Sequence, residues 1–259
     1  MNILMIGDIV GKPGRTVIEE LLPPVKEKYK VDFVLANAEN VAGRTGVTPN
    51  IAEELFSYGV DLITTGDHVW SKKEILEIID EEERILRPAN YPPDTPGQGS
   101  VVLKTSQGVL VGALNLMGRV FLSTLDCPFR VGMKEVEKLR EKTPLIIVDI
   151  HAEATSEKIA LGWYLDGQVS AVIGTHTHVQ TADERILPEG TAYLTDVGMA
   201  GSCDSVLGID KKPVIKRFLT QMPIPFEIAR DDLQLSAVLV KVDPQSGKSE
   251  SIKRLQIKL

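Results

Sequence analysis

All four histidines of the chain follow apolar runs: His68 in GDHVW, His151 in DIHAE, and His176 with His178 in GTHTH. Three acids hold the same kind of position, Asp8 in GDIVG, Glu39 in NAEN and Asp67 in GDH. Imidazoles and carboxylates together suit Zn, Mn, Fe or Co better than Mg or Ca. Any one of these residues has an ordinary reading. An Asp after a strand forms turns or caps helices, and a lone strand-end histidine is commonly hydrogen-bonded or exposed. Histidines with independent structural roles would also fall in helices and loops, so the shared placement points to a metal centre. Seven nitrogen and oxygen donors exceed one closed tetrahedral sphere, and two metals bridged by one carboxylate use them economically. Inside a strand the alternation of side chains would send His176 and His178 to one face. Beyond the strand end, each ring can serve a different metal.

The elements that must position these residues share one pattern, an apolar run followed by polar residues. It recurs at 2–11, 31–41, 60–70, 144–153, 169–179 and 191–199 and predicts buried strands with polar C-terminal ends. Helical patterns separate several of them: NIAEELFSYG after Thr48 and Pro49, SKKEILEIIDEE with a Ser71 to Glu74 capping box, and SEKIALGWYL after Thr155. Residues 101–116 and 233–259 read as antiparallel hairpins, and the Pro- and Gly-rich 87–99 as a loop. The expectation is an α/β protein with mixed sheets, residues 1–259 forming a single domain. Ligands of such sheets gather at the C-terminal strand edge, where the seven residues would converge.

Composition narrows the classes. With 43% hydrophobic and 25% charged residues, the chain can bury a large core. A net charge of −7 argues against wrapping a nucleic acid, which usually needs a basic stripe. No apolar run reaches the length of a membrane span. The opening MNILMIGDIVG lacks a basic segment or cleavage site, so a cytoplasmic location is expected. Cys127 and Cys203 form no CxxC pair and are expected to be reduced thiols. GDIVGKPGR has three residues where a phosphate loop needs four, and Pro13 stands where Ser or Thr would hold magnesium. Gly11, Pro13 and Gly14 are read instead as a turn that starts a helix, with Lys12 and Arg15 free to neutralise a nearby phosphate. No GxSxG elbow supports a serine hydrolase.

GD, NAEN, GDHVW, HAEATSEKIALGWYLDG and GTHTHVQTADERILPEGTAYLTDVGM together resemble the YmdB-like calcineurin-type metallophosphoesterases, bacterial cyclic-nucleotide phosphodiesterases. The resemblance spans almost the whole chain. It implies an α/β/β/α sandwich and a centre of two divalent transition-metal ions, Fe or Mn, with Zn as a further candidate. Asp8, Glu39, Asn40 and His178 would bind one ion, and Glu39, Asp67, His151 and His176 the other, with Glu39 bridging. A metal-bridging hydroxide would attack the diester, and His68 would act as general acid. The implied substrate is a small cyclic nucleotide, a 2′,3′-cyclic one first, cleaved at the 2′ ester. One departure stands out: the family's motif usually reads Gly-Asn-His, whereas this chain has Asp67 in the middle position. GSCDS (201–205) is expected to be a substrate-side loop, with Cys203 shaping the pocket. Residues that bind substrate are not identified from the sequence. A phosphomonoesterase or nucleotidase on the same centre, a non-catalytic nucleotide sensor, and homo-oligomerisation stay open.

Overall fold

The computed structural model describes residues 1–259. In chain order the elements are β1 (Asn2–Ile6), β2 (Asp8–Ile9), α1 (Gly11–Tyr29), β3 (Phe33–Asn37), α2 (Pro49–Ser57), β4 (Leu62–Thr64), β5 (Ile85–Leu86), β6 (Ser100–Lys104), β7 (Leu110–Met117), α3 (Pro128–Arg140), β8 (Ile146–His151), α4 (Thr155–Tyr164), β9 (Ala171–Thr175), β10 (Arg185–Ile186), β11 (Ala192–Leu194), β12 (Met199–Ser202), α5 (Lys211–Thr220), β13 (Leu233–Val242) and β14 (Ser249–Lys258). One sheet runs β2-β12-β13-β1-β3-β4-β5, with β14 beside β13; the other runs β10-β11-β9-β8-β7-β6. The first sheet has a parallel run, β1-β3-β4-β5, joined through antiparallel β13 to a parallel β12-β2 pair; the second has a parallel centre, β7-β8-β9-β11, with antiparallel edges.

Side-chain alternation along buried strands builds the layers. Ile3 and Met5 of β1 and Phe33 and Leu35 of β3 face the second sheet, meeting Ala113, Ile147, Ala171 and Ile173. Their neighbours Leu4, Ile6, Val34 and Ala36 face the other way, onto Val17, Ile18 and Leu22 of α1 and Leu55 of α2. On the far side, Leu116, Val148 and Ile150 pack on Val136 and Leu139 of α3 and Leu161 of α4. The result is the mixed-sheet α/β/β/α sandwich that the resemblance implies, and no helix is long and apolar enough to cross a membrane. Full burial of each large aliphatic side chain contributes about 1.5–3 kcal/mol, so the sandwich holds its strand ends in register.

Both expected hairpins form, as β6-β7 and β13-β14, and α1 starts at Gly11. The segment after Asp67 differs from its expected helix. It forms two 3₁₀ turns, Val69–Ser71 and Lys73–Glu77, with extended Lys72 between them, and Ser71 makes no capping hydrogen bond. Val69, Ile75 and Ile79 are buried in the core beside these turns. The run expected at 191–199 divides into β11, which joins the second sheet, and the start of β12, which joins the first.

Candidate metal centre

The parallel strands end at a common edge, and the seven residues meet there together with Asn40. Asp8 opens β2, Glu39 and Asn40 follow β3, Asp67 and His68 follow β4, His151 ends β8, and His176 and His178 follow β9. His176 and His178 both adopt left-handed backbone, with φ of 99° and 63°, a conformation uncommon for residues other than glycine. Those two turns separate the rings. His176 Nδ1 lies 2.9 Å from His151 Nε2 and 3.6 Å from Asp67 Oδ1, whereas His178 Nε2 lies 3.1 Å from Asn40 Oδ1 and 3.8 Å from Asp8 Oδ1.

In the first group, His151 Nε2 is 3.2 Å from Asp67 Oδ1 and 3.3 Å from Glu39 Oε2. One donor atom from each of Glu39, Asp67, His151 and His176 lies within 4.8 Å of all the others. The Asp67 carboxylate is therefore turned into the cluster. Hydrogen bonding indicates which nitrogens carry protons. Thr175 Oγ1 donates to Asp149 Oδ1 at 2.7 Å and so accepts from His151 Nδ1 at 2.9 Å, which leaves Nε2 bare. Pairing His176 Nε2 with Glu153 Oε2, 3.2 Å away, leaves His176 Nδ1 bare as well. Two bare ring nitrogens among carboxylates repel unless a proton or a cation sits between them. In the second group His178 Nδ1 donates to the Leu207 carbonyl at 3.2 Å, freeing Nε2 toward Asn40 and Asp8. Asp8 is fully buried, and its Oδ1 has no hydrogen-bond partner. An orphaned buried acceptor beside a free imidazole nitrogen is the kind of arrangement that a cation would complete.

The titration behaviour agrees. Burial pushes the Asp8 carboxyl up to about 6, against the pull of His178 and His151. Burial also works to raise Glu39, but His151 and His68 outweigh it and hold that carboxyl well below its usual range. His151 resists charging because it is buried, yet Glu39 and Asp67 hold it well above the ordinary imidazole value. Burial, with His151 beside it, pushes His176 down. Glu39 thus touches the first group directly and, through its charge, helps raise Asp8 in the second. His68 stands outside both groups. Its Nδ1 is 3.1 Å from Glu39 Oε1, a contact that raises its pKa against burial, and its Nε2 has no protein partner.

Several contributors escape the strand-end pattern. Gly66 leaves room for the cluster, since a Cβ there would lie 2.2 Å from His151 Cδ2 and 2.3 Å from Glu39 Oε2. Asn37 Oδ1 accepts from the Glu39 amide at 3.1 Å. Buried Asp149 accepts from Thr64, Thr175 and Asn37; an acid inside the apolar run LIIVDIH was the available signal. Lys158 Nζ, sealed in the interior, donates to Thr175 O at 2.7 Å and Asp196 Oδ2 at 2.6 Å, and Asp196 takes the Thr177 amide at 3.1 Å. That ion pair pins the turn carrying both histidines.

His68, Asn40 and His178 line a cleft of about 160 Å³. Arg15 is not available to a phosphate there: it bonds Glu54 and the Val41 carbonyl, each at 3.0 Å, and with Lys12 lines a separate cavity. Cys203 is exposed, its amide bonded to Asp232, and Val206, Leu207 and Ile209 just after it border the cleft region instead.

Comparison with known proteins agrees with the architecture. Residues 4–255 match the model of the YmdB-like protein family. The chain is 49% identical over 257 residues to the 2′,3′-cyclic-nucleotide 2′-phosphodiesterase of Bacillus subtilis (strain 168), covering 99% of this chain and 97% of that one. A crystal structure of a hypothetical protein from Thermus thermophilus superposes with a TM-score of 0.92 at 40% identity, covering 100% of this chain and 99% of that one. A novel phosphatase from Mycoplasma pneumoniae does so with a TM-score of 0.92 at 34% identity, covering 100% and 93%. With the sequence motifs, the sandwich and the strand-end cluster in agreement, the chain belongs to the YmdB-like protein family.

Proposed function

We propose that the chain is a dinuclear-metal phosphodiesterase that opens 2′,3′-cyclic nucleotides at the 2′ ester. The observation that carries this is the division of the strand-end donors into two groups around Glu39, in a chain half identical to a phosphodiesterase of that specificity. Asp8, Asn40 and His178 with Glu39 would hold one ion, and Asp67, His151 and His176 with Glu39 the other. Mixed imidazole and carboxylate donors suit Zn, Mn, Fe or Co, and the family resemblance puts Fe or Mn first, with Zn next. When bound, two divalent ions supply positive charge that acidifies water and offsets the charge of a phosphodiester. With a carboxylate at Asp67 instead of an amide, the protein contributes three negative groups to that balance, which favours retention of cations over acidification of water.

The residues of the chain do the rest. His176 and His178 are held apart by their left-handed turns, so each ring serves its own group, with His178 and Asn40 at the cleft. His68 lines that cleft with Nε2 free of protein partners. It is the group placed to protonate the departing 2′ oxygen, leaving a nucleoside 3′-phosphate. Two cysteines without a disulfide partner fit a reducing, cytoplasmic setting.

The test is a panel of cyclic nucleotides, linear diesters and monoesters, run on metal-free protein reconstituted with Mn, Fe or Zn. The expected result is metal-dependent conversion of 2′,3′-cyclic nucleotides to 3′-monophosphates. A second reading, a phosphomonoesterase, draws on the likeness to a Mycoplasma phosphatase. Inorganic phosphate as the main product would favour it.

A further inference from the structure

The cleft beside His178 is too small for a whole nucleotide. Its volume of about 160 Å³ falls short of the ~300–1,000 Å³ usual for small-molecule sites. It does not end there. Arg44, Leu207 and Ile209 also form one wall of a second cavity of about 420 Å³, continued by Val214, Arg217 and Phe226. The walls of this throat are bonded to the centre itself. Asn40 Nδ2 donates to the Arg44 carbonyl at 2.9 Å, and His178 Nδ1 donates to the Leu207 carbonyl at 3.2 Å. The second cavity is thereby held in register with the reacting end of the cleft.

Its chemistry is specific. The guanidinium groups of Arg44 and Arg217 lie 5.2 Å and 5.1 Å from the centre of the Phe226 ring. The arginines paired with carboxylates are Arg15, Arg84 and Arg254; Arg44 and Arg217 are not among them. No Asp or Glu lines either cavity, although the chain carries 36 acidic residues and a net charge of −7. An aromatic face flanked by two planar, unpaired guanidinium groups, with aliphatic walls and no carboxylate, is suited to a flat heteroaromatic ring on an anionic molecule.

We propose that this second cavity is the nucleobase subsite. The cyclic phosphate lies at the metal groups, the ribose fills the throat between Arg44 and Leu207, and the base stacks at Phe226 with Arg217 and Arg44 as donors. This rests on the phosphodiesterase reading and deepens it. Because stacking is tolerant of base identity and Gln221 is the neutral amide in the lining, the subsite accepts all four bases.

The test compares adenosine 2′,3′-cyclic phosphate with methyl riboside 2′,3′-cyclic phosphate, which has the same reacting group and no base, on the Mn-reconstituted protein. Wild type should favour the nucleotide in kcat/KM on the order of ten- to a hundred-fold, the range of base–aromatic stacking. Phe226→Ala should collapse that ratio toward one, mainly through the KM for the nucleotide, and Phe226→Trp should preserve it. Arg217→Ala, at an exposed side chain that leaves folding intact, should lower the ratio several-fold. Calorimetric binding of adenosine 3′-phosphate and methyl riboside 3-phosphate to the same proteins gives a readout independent of turnover. A wild type indifferent to the base, or ratios unmoved in both alanine variants, would overturn the subsite. Hydrolysis of neither substrate would overturn the phosphodiesterase reading instead, and the binding comparison would still decide the subsite.

Discussion

On the Asp67 side of Glu39, His151 is sealed from solvent, and its ring is fixed through Thr175 to the buried carboxylate of Asp149. On the Asp8 side, His178 is tied to the backbone carbonyl of Leu207, in a loop that is itself exposed and borders the cleft. The first group is thus set by the interior of the sandwich, before any cation arrives. The second depends on a surface loop and on Asp8, which waits buried with an unpaired oxygen. Rigid, fully bonded supports raise ligand basicity and cation affinity. Under the proposed dinuclear reading, the contrast implies a tightly held ion on the Asp67 side and a more exchangeable one on the Asp8 side, next to the cleft.

The most severe way to break the contrast is to remove what the two sides share. Glu39→Ala should lower metal content, measured by elemental analysis after reconstitution, on both sides together and abolish turnover. A variant that keeps one ion at full occupancy would show that Glu39 serves one side alone. His68→Ala separates chemistry from coordination. Metal content should be retained while kcat falls on the order of 10²- to 10⁴-fold, the usual contribution of a general acid. That loss should shrink for a nitrophenyl diester, whose leaving group needs no proton. Loss of metal in His68→Ala would instead make His68 a ligand.

Thr175→Val sharpens the contrast itself. It keeps the shape of the side chain but removes the hydroxyl between His151 and Asp149, freeing the ring to take its other tautomer. Support of this kind is typically worth about 10–100-fold in metal affinity. Metal titration should show weakening of the tighter ion with the weaker one unchanged. Equal weakening of both would mean that the two sides are not independently supported.

The strand-end donors were legible because chemistry forced polar residues onto the ends of apolar runs, where nothing else explains them. Their supports were not. Asp149 lies inside an apolar stretch where a charge looks like an interruption, Lys158 sits in a first helical turn where a charge looks ordinary, and their partners are 26 and 38 residues distant in sequence. Asn37 and Thr175 are ordinary strand residues until the two sheets are stacked. The Ser71 to Glu74 pattern is a local signal for a helix, but Ser71 closes one 3₁₀ turn and extended Lys72 separates it from the next, so no continuous helix forms there. The division of His176 from His178 rests on two left-handed backbone turns, which residue type does not announce at histidine.

The smallest effect tests whether acid weakens the centre or the scaffold behind it. Asp183 accepts hydrogen bonds from Thr181 Oγ1 and from the amide and hydroxyl of Thr195, and Thr181 in turn receives the amide of Asp196, at 2.9 Å. This bonding brings the support of the His176–His178 turn under Asp183's influence without touching a metal-binding candidate. Burial acts to raise Asp183, but the threonine hydroxyls outweigh it, so its carboxyl is depressed when folded. A depressed carboxyl contributes stability that is complete above the unfolded value, about 3.9, and is lost as pH falls through the lower folded value. Asp183 is partly exposed, so solvent screening limits this to no more than about 1 kcal/mol, or about 2–4 °C in Tm for a chain of this size. In metal-free protein the Tm difference between wild type and Asp183→Asn should be constant above about pH 5 and narrow below the unfolded value of about 3.9. A difference that stays constant through that range would remove Asp183 as a source of acid lability and leave the depressed carboxyls of Glu39 and Asp67 as the centre's source of it.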